Sequence, residues 1–224
     1  MKRVRDESLR QELMESSAYL DQFSFDVGSD AELFMVPAGE YIIKEGVRPE
    51  YLFYLCRGRA RLFMTLSNGD VALIDFFSAP CFIGEMELIS DDREVRAVQA
   101  IEDSYLLALP LRRYRDRLLN DACFLRSLCR LLGVKNYRNT VTFIRNQTFP
   151  LINRLAAFIL MTEDQGVIRK EYAQVAEYFG VSYRHLLYVF AELVERGYLR
   201  KEKKSYVILD RAALMELSRD VEVR

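Results

Sequence analysis

The sequence predicts an α+β chain made of an antiparallel jelly roll, a long helix and a winged helix-turn-helix, in that order. Three observations carry the prediction. Short aromatic and branched runs recur about every ten residues between positions 32 and 109, punctuated by Gly, Pro and Asn-Gly. Positions 112 to 146 then hold apolar residues at helical spacing with no proline. Finally, two short helical periodicities meet at Gly180-Val181-Ser182.

Residues 1–28 read as a short polar helix with intermittent Leu9, Leu13 and Leu20, then a loop at Asp26-Val27-Gly28-Ser29-Asp30. An arm or adaptor is expected there. The barrel is assigned to residues 29–111, with strands in the runs 32–36, 40–44, 51–55, 60–64, 71–74 and 105–109. Asn68-Gly69 signals a hairpin, because both residues tolerate the positive φ of a tight turn. Over 112–146, Leu118, Phe124 or Leu125, Leu128, Leu131 or Leu132, Tyr137, Val141 and Ile144 form one apolar stripe, long for a helix inside a small domain. Such a stripe wants a partner, most simply the same helix of a second copy, so this is the expected dimerisation helix. Folding back on its own barrel is the alternative. Asn146-Gln147-Thr148-Phe149-Pro150 should end the helix as a hinge, since the residue before proline is pushed out of helical geometry.

The last domain is assigned to residues 147–224. Val175, Ala176 and Phe179 give one helix a buried face, and Leu186, Val189, Phe190 and Leu193 give the next one another. Gly180 supplies the positive φ that leaves the first helix, Val181 buries in the turn, and Ser182 caps the second. Tyr183, Arg184, Leu187, Tyr188 and Ala191 then point outward at the spacing a major groove accepts. An ordinary αα-hairpin in a globular core is the plainer reading. Strands at 197–200 and 205–209 enclose the basic run Arg200-Lys201-Glu202-Lys203-Lys204, which reads as a wing.

Composition bounds the function. A chain of 224 residues, 50% hydrophobic and 29% charged, suits two modest globular domains. No apolar run approaches the ~20 residues that span a bilayer, and the start lacks a signal-like segment, so a cytoplasmic location is expected. The net charge of −1 hides local basic patches: nine Arg or Lys between 112 and 145 face only Asp116 and Asp121. Such patches on a near-neutral chain suit partial contact with phosphate. The four cysteines and the single His185 have no metal-ligand spacing, so no metal site is expected and the thiols read as buried. Since no Ser or Cys has a base at a motif spacing, an enzyme is not expected.

In this order the parts resemble the CRP/FNR family of transcriptional regulators, typified by the cyclic-AMP receptor protein and the fumarate and nitrate reduction regulator. The resemblance covers nearly the whole chain. Its most specific piece is Phe82-Ile83-Gly84-Glu85-Met86-Glu87-Leu88, which looks like the phosphate-binding cassette of cyclic-nucleotide-binding domains. Residues 79–85 and 181–189 further resemble an enterobacterial branch. The resemblance implies a cyclic-nucleotide-binding-like sensor barrel, a homodimer, near-palindromic double-stranded DNA as partner, and RNA polymerase as a further partner if the output is activation. A dimeric signal-responsive scaffold without DNA binding is the alternative.

By the same resemblance the ligand pocket would be lined by Leu62, Asp75, Phe77, Gly84, Glu85, Arg96, Asn139 and Thr140. Two departures argue against cyclic AMP. The family's Arg followed by a hydroxyl falls on Val95, or on Arg96 after a one-residue slip, with Ala97 next. Asp75 would add a negative charge near a phosphate unless it pairs with Arg96. A different small-molecule effector, or a barrel kept as a dimerisation scaffold with an internal ion pair, fits better. The first 55 residues contain no cysteine, which argues against the oxygen-sensing branch's iron-sulfur cluster and leaves Cys56 and Cys81 as candidates for a redox switch. Base-reading positions fall on Ser182, Tyr183, Arg184 and Tyr188, and phosphate contacts on Arg169, His185, Lys201, Lys203 and Lys204.

Overall fold

The computed structural model describes residues 1–65, 71–90, 92, 94–163, 165–169, 172–219 and 221, with backbone alone at 72, 73, 142, 145, 146, 169, 173, 174 and 177. The chain forms two compact units, Met1–Asn136 and Tyr137–Arg224.

The first unit is a jelly roll of two antiparallel sheets. Its strands are β1 (Lys2–Arg3), β2 (Glu32–Val36), β3 (Tyr41–Ile43), β4 (Tyr51–Arg57), β5 (Arg59–Thr65), β6 (Val71–Ser78), β7 (Cys81–Ile83), β8 (Ala97–Ala100) and β9 (Ser104–Pro110). One sheet runs β1-β2-β9-β4-β7 and the other β3-β8-β5-β6. The Asn68-Gly69 turn lies outside the described residues; β5 and β6 on either side of it pair antiparallel, Thr65 opposite Val71.

Strands β4 and β9 are apolar almost continuously because both of their faces are covered. Phe53, Leu55, Leu106 and Ala108 face the core between the sheets, with Val36, Ile43, Ala60, Phe77, Ile83 and Val98. Alternate residues Leu52, Tyr54, Leu107 and Leu109 face a second core on the outside of the sheet. That outer core is closed by α1 (Glu7–Ser16), by Tyr19 and Phe23 on either side of a 3₁₀ turn at Leu20–Gln22, by α3 (Leu111–Leu119) and by the start of α4 (Ala122–Thr148), while α2 (Glu85–Ile89) follows β7.

Two expectations change here. Residues 1–28, expected as an arm or adaptor, pack on the barrel: Leu13, Met14, Tyr19, Phe23 and Val27 are buried in the outer core, although Leu20 is exposed. Phe23 stacks on Phe124 at 5.8 Å, Tyr54 meets Phe82 at 4.8 Å, and Phe82 meets Phe124 at 5.3 Å. The stripe expected along 112–146 is also divided. Asn120 ends α3, and Asp121 opens α4 by accepting from the backbone N–H of Cys123 at 3.1 Å and of Ser24 at 2.9 Å. Leu118, Phe124 and Leu128 are spent on their own barrel, whereas Val134, Tyr137 and Ile144 are exposed. Folding back on the barrel thus describes the first part of the stripe, and the remainder is exposed.

The second unit holds α5 (Leu151–Thr162), entered through Pro150, then β10 (Val167–Arg169), α6 (Tyr172–Phe179), α7 (Tyr183–Glu195), β11 (Leu199–Lys201), β12 (Ser205–Ile208) and α8 (Arg211–Ser218). Its sheet runs β10-β12-β11. Leu155, Ile159, Val175, Phe179, Leu186, Phe190, Leu193 and Leu214 make one core. No described helix is long and apolar enough to cross a membrane.

Candidate sensor cavity and nucleic-acid interface

In the first unit a cavity of about 560 Å³ is lined by Ile43, Leu62, Ile74, Phe77, Gly84, Glu85, Met86, Glu87, Glu94, Arg96 and Val98. Gly84 ends β7 and begins α2 at φ +89°, a backbone conformation that L side chains rarely adopt. That turn carries Glu85 from the strand end into the cavity wall.

The decisive contact at this wall comes from α4. Lys135 Nζ donates to Glu85 Oε1 at 2.6 Å, with the two side chains only 13% and 5% exposed. The same ammonium sits 4.2 Å from the centroid of Phe77, so its charge is met by a carboxylate and by the negative face of a ring. A buried charge needs such partners, because it has left water behind. Glu87, half-buried alongside, has its carboxyl pushed up by burial first and by the neighbouring Glu85 charge second.

Leu62, Phe77, Gly84, Glu85 and Arg96 are therefore brought together, and Asp75 is not among the lining residues. Asp75 sits opposite Leu62 on β6, but Ile74 and Phe77 supply the cavity wall: the register shifts from Leu62/Asp75 to Phe63/Leu73, which leaves Ile74 as the extra residue of a bulge and breaks the regular alternation there. The internal ion pair suggested between Asp75 and Arg96 is replaced by Glu85–Lys135. Arg96 lies instead 4.0 Å from Glu94 and places Nη1 2.8 Å from Met64 Sδ. Ala97, buried on β8, follows it with no hydroxyl to offer. Asn139 and Thr140 are exposed on α4 in the second unit. Lys135 was missed from the sequence: helical spacing gives no pointer to a glutamate 50 positions earlier.

The second unit holds the helix-turn-helix. Gly180 takes φ +62° with open space around it, so the backbone conformation, not crowding, demands glycine there. The Val181 N–H bonds the Ala176 carbonyl at 3.1 Å and closes the turn. Ser182 Oγ accepts from the His185 N–H at 3.2 Å, which satisfies one orphan donor at the start of α7. Burial of Leu186, Val189, Phe190 and Leu193 turns the opposite face outward: Tyr183 is 51% and Tyr188 69% exposed, and Ser182, Arg184 and His185 are exposed with them. In the wing, Lys201, Lys203 and Lys204 are exposed, and Arg200 pairs with Glu202 at 3.3 Å. The Arg169 side chain lies outside the described residues.

Comparison with known proteins agrees with this architecture. Residues 33–121 match the model of the cyclic nucleotide-binding domain, and residues 153–217 that of the Crp-like helix-turn-helix domain. The chain is 55% identical to Regulatory protein YeiL of Escherichia coli O157:H7 over 209 residues, which is 93% of this chain and 95% of the relative. That is the enterobacterial branch which residues 79–85 and 181–189 resemble. A regulator of the crp/fnr family from Eubacterium rectale is similar in fold at TM-score 0.75 and 14% identity, covering 96% of this chain and 95% of that one. A CRP/FNR-family transcriptional regulator from Thermus thermophilus gives 0.69 at 24% identity, over 84% and 98%. The relatives are regulatory proteins and not enzymes. A cyclic-nucleotide-binding-type jelly roll, a helix running on from it and a DNA-binding helix-turn-helix thus identify the chain as a member of the CRP/FNR family of transcriptional regulators.

Proposed function

We propose that the chain acts as a homodimeric, sequence-specific DNA-binding regulator whose barrel responds to an effector other than cyclic AMP. The observation that carries the DNA reading is the exposed face of α7, where Tyr183, Arg184 and Tyr188 stand over a fully buried opposite face. Arg184 makes a bidentate contact to a guanine, and the two tyrosines offer a hydroxyl or a ring face to a thymine methyl. Ser182 reads with its hydroxyl hydrogen while its oxygen caps the helix. His185, Lys201, Lys203, Lys204 and Arg169 clamp phosphates and carry no sequence information. Two copies pair through the exposed apolar positions of α4, so that two α7 helices enter successive major grooves about 34 Å apart on a near-palindromic site. RNA polymerase is a further partner if the output is activation.

The case against cyclic AMP rests on Glu85. Its carboxylate is engaged by Lys135 in a buried pair, and a ribose would have to displace that ammonium. Arg96, followed by Ala97, offers a guanidinium without the neighbouring hydroxyl. An input at the barrel shifts the population of α4 arrangements only if it binds one of them better. Selection from random duplex DNA tests the reading: a two-fold site should be enriched, and its absence with and without cell extract would sink it. Arg184→Ala should relax one base preference per half-site, whereas Lys203→Ala should weaken all sequences alike and lower the salt slope by about one. Calorimetry with cyclic AMP should show no heat of binding.

A further inference from the structure

A ladder of aromatic side chains joins the wing of the second unit to α7. Tyr206 on β12 is 3% exposed and stacks on Phe190 of α7 with centroids 4.7 Å apart. Its hydroxyl lies 2.7 Å from that of Tyr172, the first residue of α6. The Tyr172 ring meets Phe190 edge-on at 5.5 Å and Tyr183 edge-on at 5.8 Å. Tyr183 is thereby half exposed and held. Among the described residues, Arg184 and Tyr188 make no hydrogen bond, ion pair or ring contact through their side chains.

We propose that Tyr172 is a positioning residue for base readout: it orients the Tyr183 ring and so sets the preference at the base pair Tyr183 meets. The proposal rests on Tyr183 being a base reader. Its physical basis is leverage. A tyrosine hydroxyl lies at the far end of a rigid ring, so one change of χ1 rotamer carries it by several ångströms. A ring already ordered in the free protein loses less freedom on docking, and it presents the same edge to every sequence. Tyr172 can hold Tyr183 only if it is itself held. The hydroxyl contact to Tyr206 does this, anchored in turn by the Phe190 stack. Since β12 pairs with both β10 and β11, the wing strands and the reading ring share one support.

The test is selection from random duplex DNA by the full chain, compared for the native protein, Tyr183→Ala, Tyr172→Ala, Tyr172→Phe and Arg184→Ala. Tyr183→Ala should identify the base pair that Tyr183 meets. Tyr172→Ala should reduce discrimination at that same base pair by about two- to tenfold, the size of one aromatic contact. The position that Arg184→Ala flattens should stay unchanged, and the Tyr172→Ala/Tyr183→Ala double variant should lose no more than Tyr183→Ala alone. Tyr172→Phe keeps the ring but loses the hydroxyl contact to Tyr206, so it should recover discrimination only in part, to the level of Tyr206→Phe. If Tyr172→Ala lowers the melting temperature enough to unfold the unit, Tyr206→Phe takes its place. That change removes one hydroxyl, and it should flatten the same base pair to a smaller extent. Unchanged preference at that base pair, or equal weakening at every position, overturns the positioning role and leaves the regulator reading standing. No enriched site for the native protein overturns both.

Discussion

Lys135→Met removes the ammonium and leaves Glu85 buried opposite an apolar side chain. Breaking a buried pair from one side costs about 3 to 5 kcal/mol, because the remaining charge has neither partner nor water. Loss of the cation over the Phe77 ring adds ~1 kcal/mol. With the two side chains only 13% and 5% exposed, the loss should fall in that range, nearer its lower end because Glu85 borders the cavity. Glu85→Met should cost a similar amount by stranding the lysine. The Glu85→Met/Lys135→Met double variant removes both charges at comparable volume and should fall far short of the sum, by about 3 kcal/mol or more. Hydrogen exchange at the β4 and β9 amides reads the stability of the first unit directly. Single-variant losses below about 1 kcal/mol that simply add would show the pair to be solvated, and the argument from Glu85 against cyclic AMP would go with it.

Two further outcomes follow from the same geometry. Burial tends to raise the Asp121 carboxyl, but the Ser24 and Cys123 N–H donors outweigh it, and the folded-state value is lowered. A lowered value means the unfolded chain takes up the proton first, so the stabilisation is fully present above the ordinary aspartate range and is lost as pH falls through the folded value. Asp121→Ala should cost about 1 to 2 kcal/mol at neutral pH and flatten the fall in stability on acidification, measured by denaturation at pH steps below about 6. Ile144→Asp, at a position 50% exposed, should leave the melting temperature nearly unchanged while halving the mass seen by sedimentation. An unchanged dimer mass would place the contact elsewhere, and a native chain of monomer mass would refute the pairing.

Much of the fold was legible because its signals are local. The strand runs of β2, β4, β5 and β9 announce themselves by branched and aromatic residues, and the bend at Gly180-Val181-Ser182 combines a positive φ, a half-buried valine and a capping hydroxyl within three positions. The outward face of α7 follows from helical periodicity once Leu186, Phe190 and Leu193 are buried. What was misread depended on partners distant in the chain. Residues 1–28 look like a polar arm until Leu13, Tyr19 and Phe23 meet the outer face of the sheet. The stripe of residues 118–144 looks like one seam until Asp121 interrupts it and Phe124 and Leu128 sink into the barrel.

The sequence by itself determined the order of parts, the turn chemistry of the helix-turn-helix and the position of Glu85 after its glycine, since each depends on neighbours within a few residues. Only the tertiary structure decided that Lys135 engages that glutamate and that Tyr172 supports Tyr183. Pairs of that kind depend on where two elements come to rest in space, and periodicity along one of them carries no information about the other.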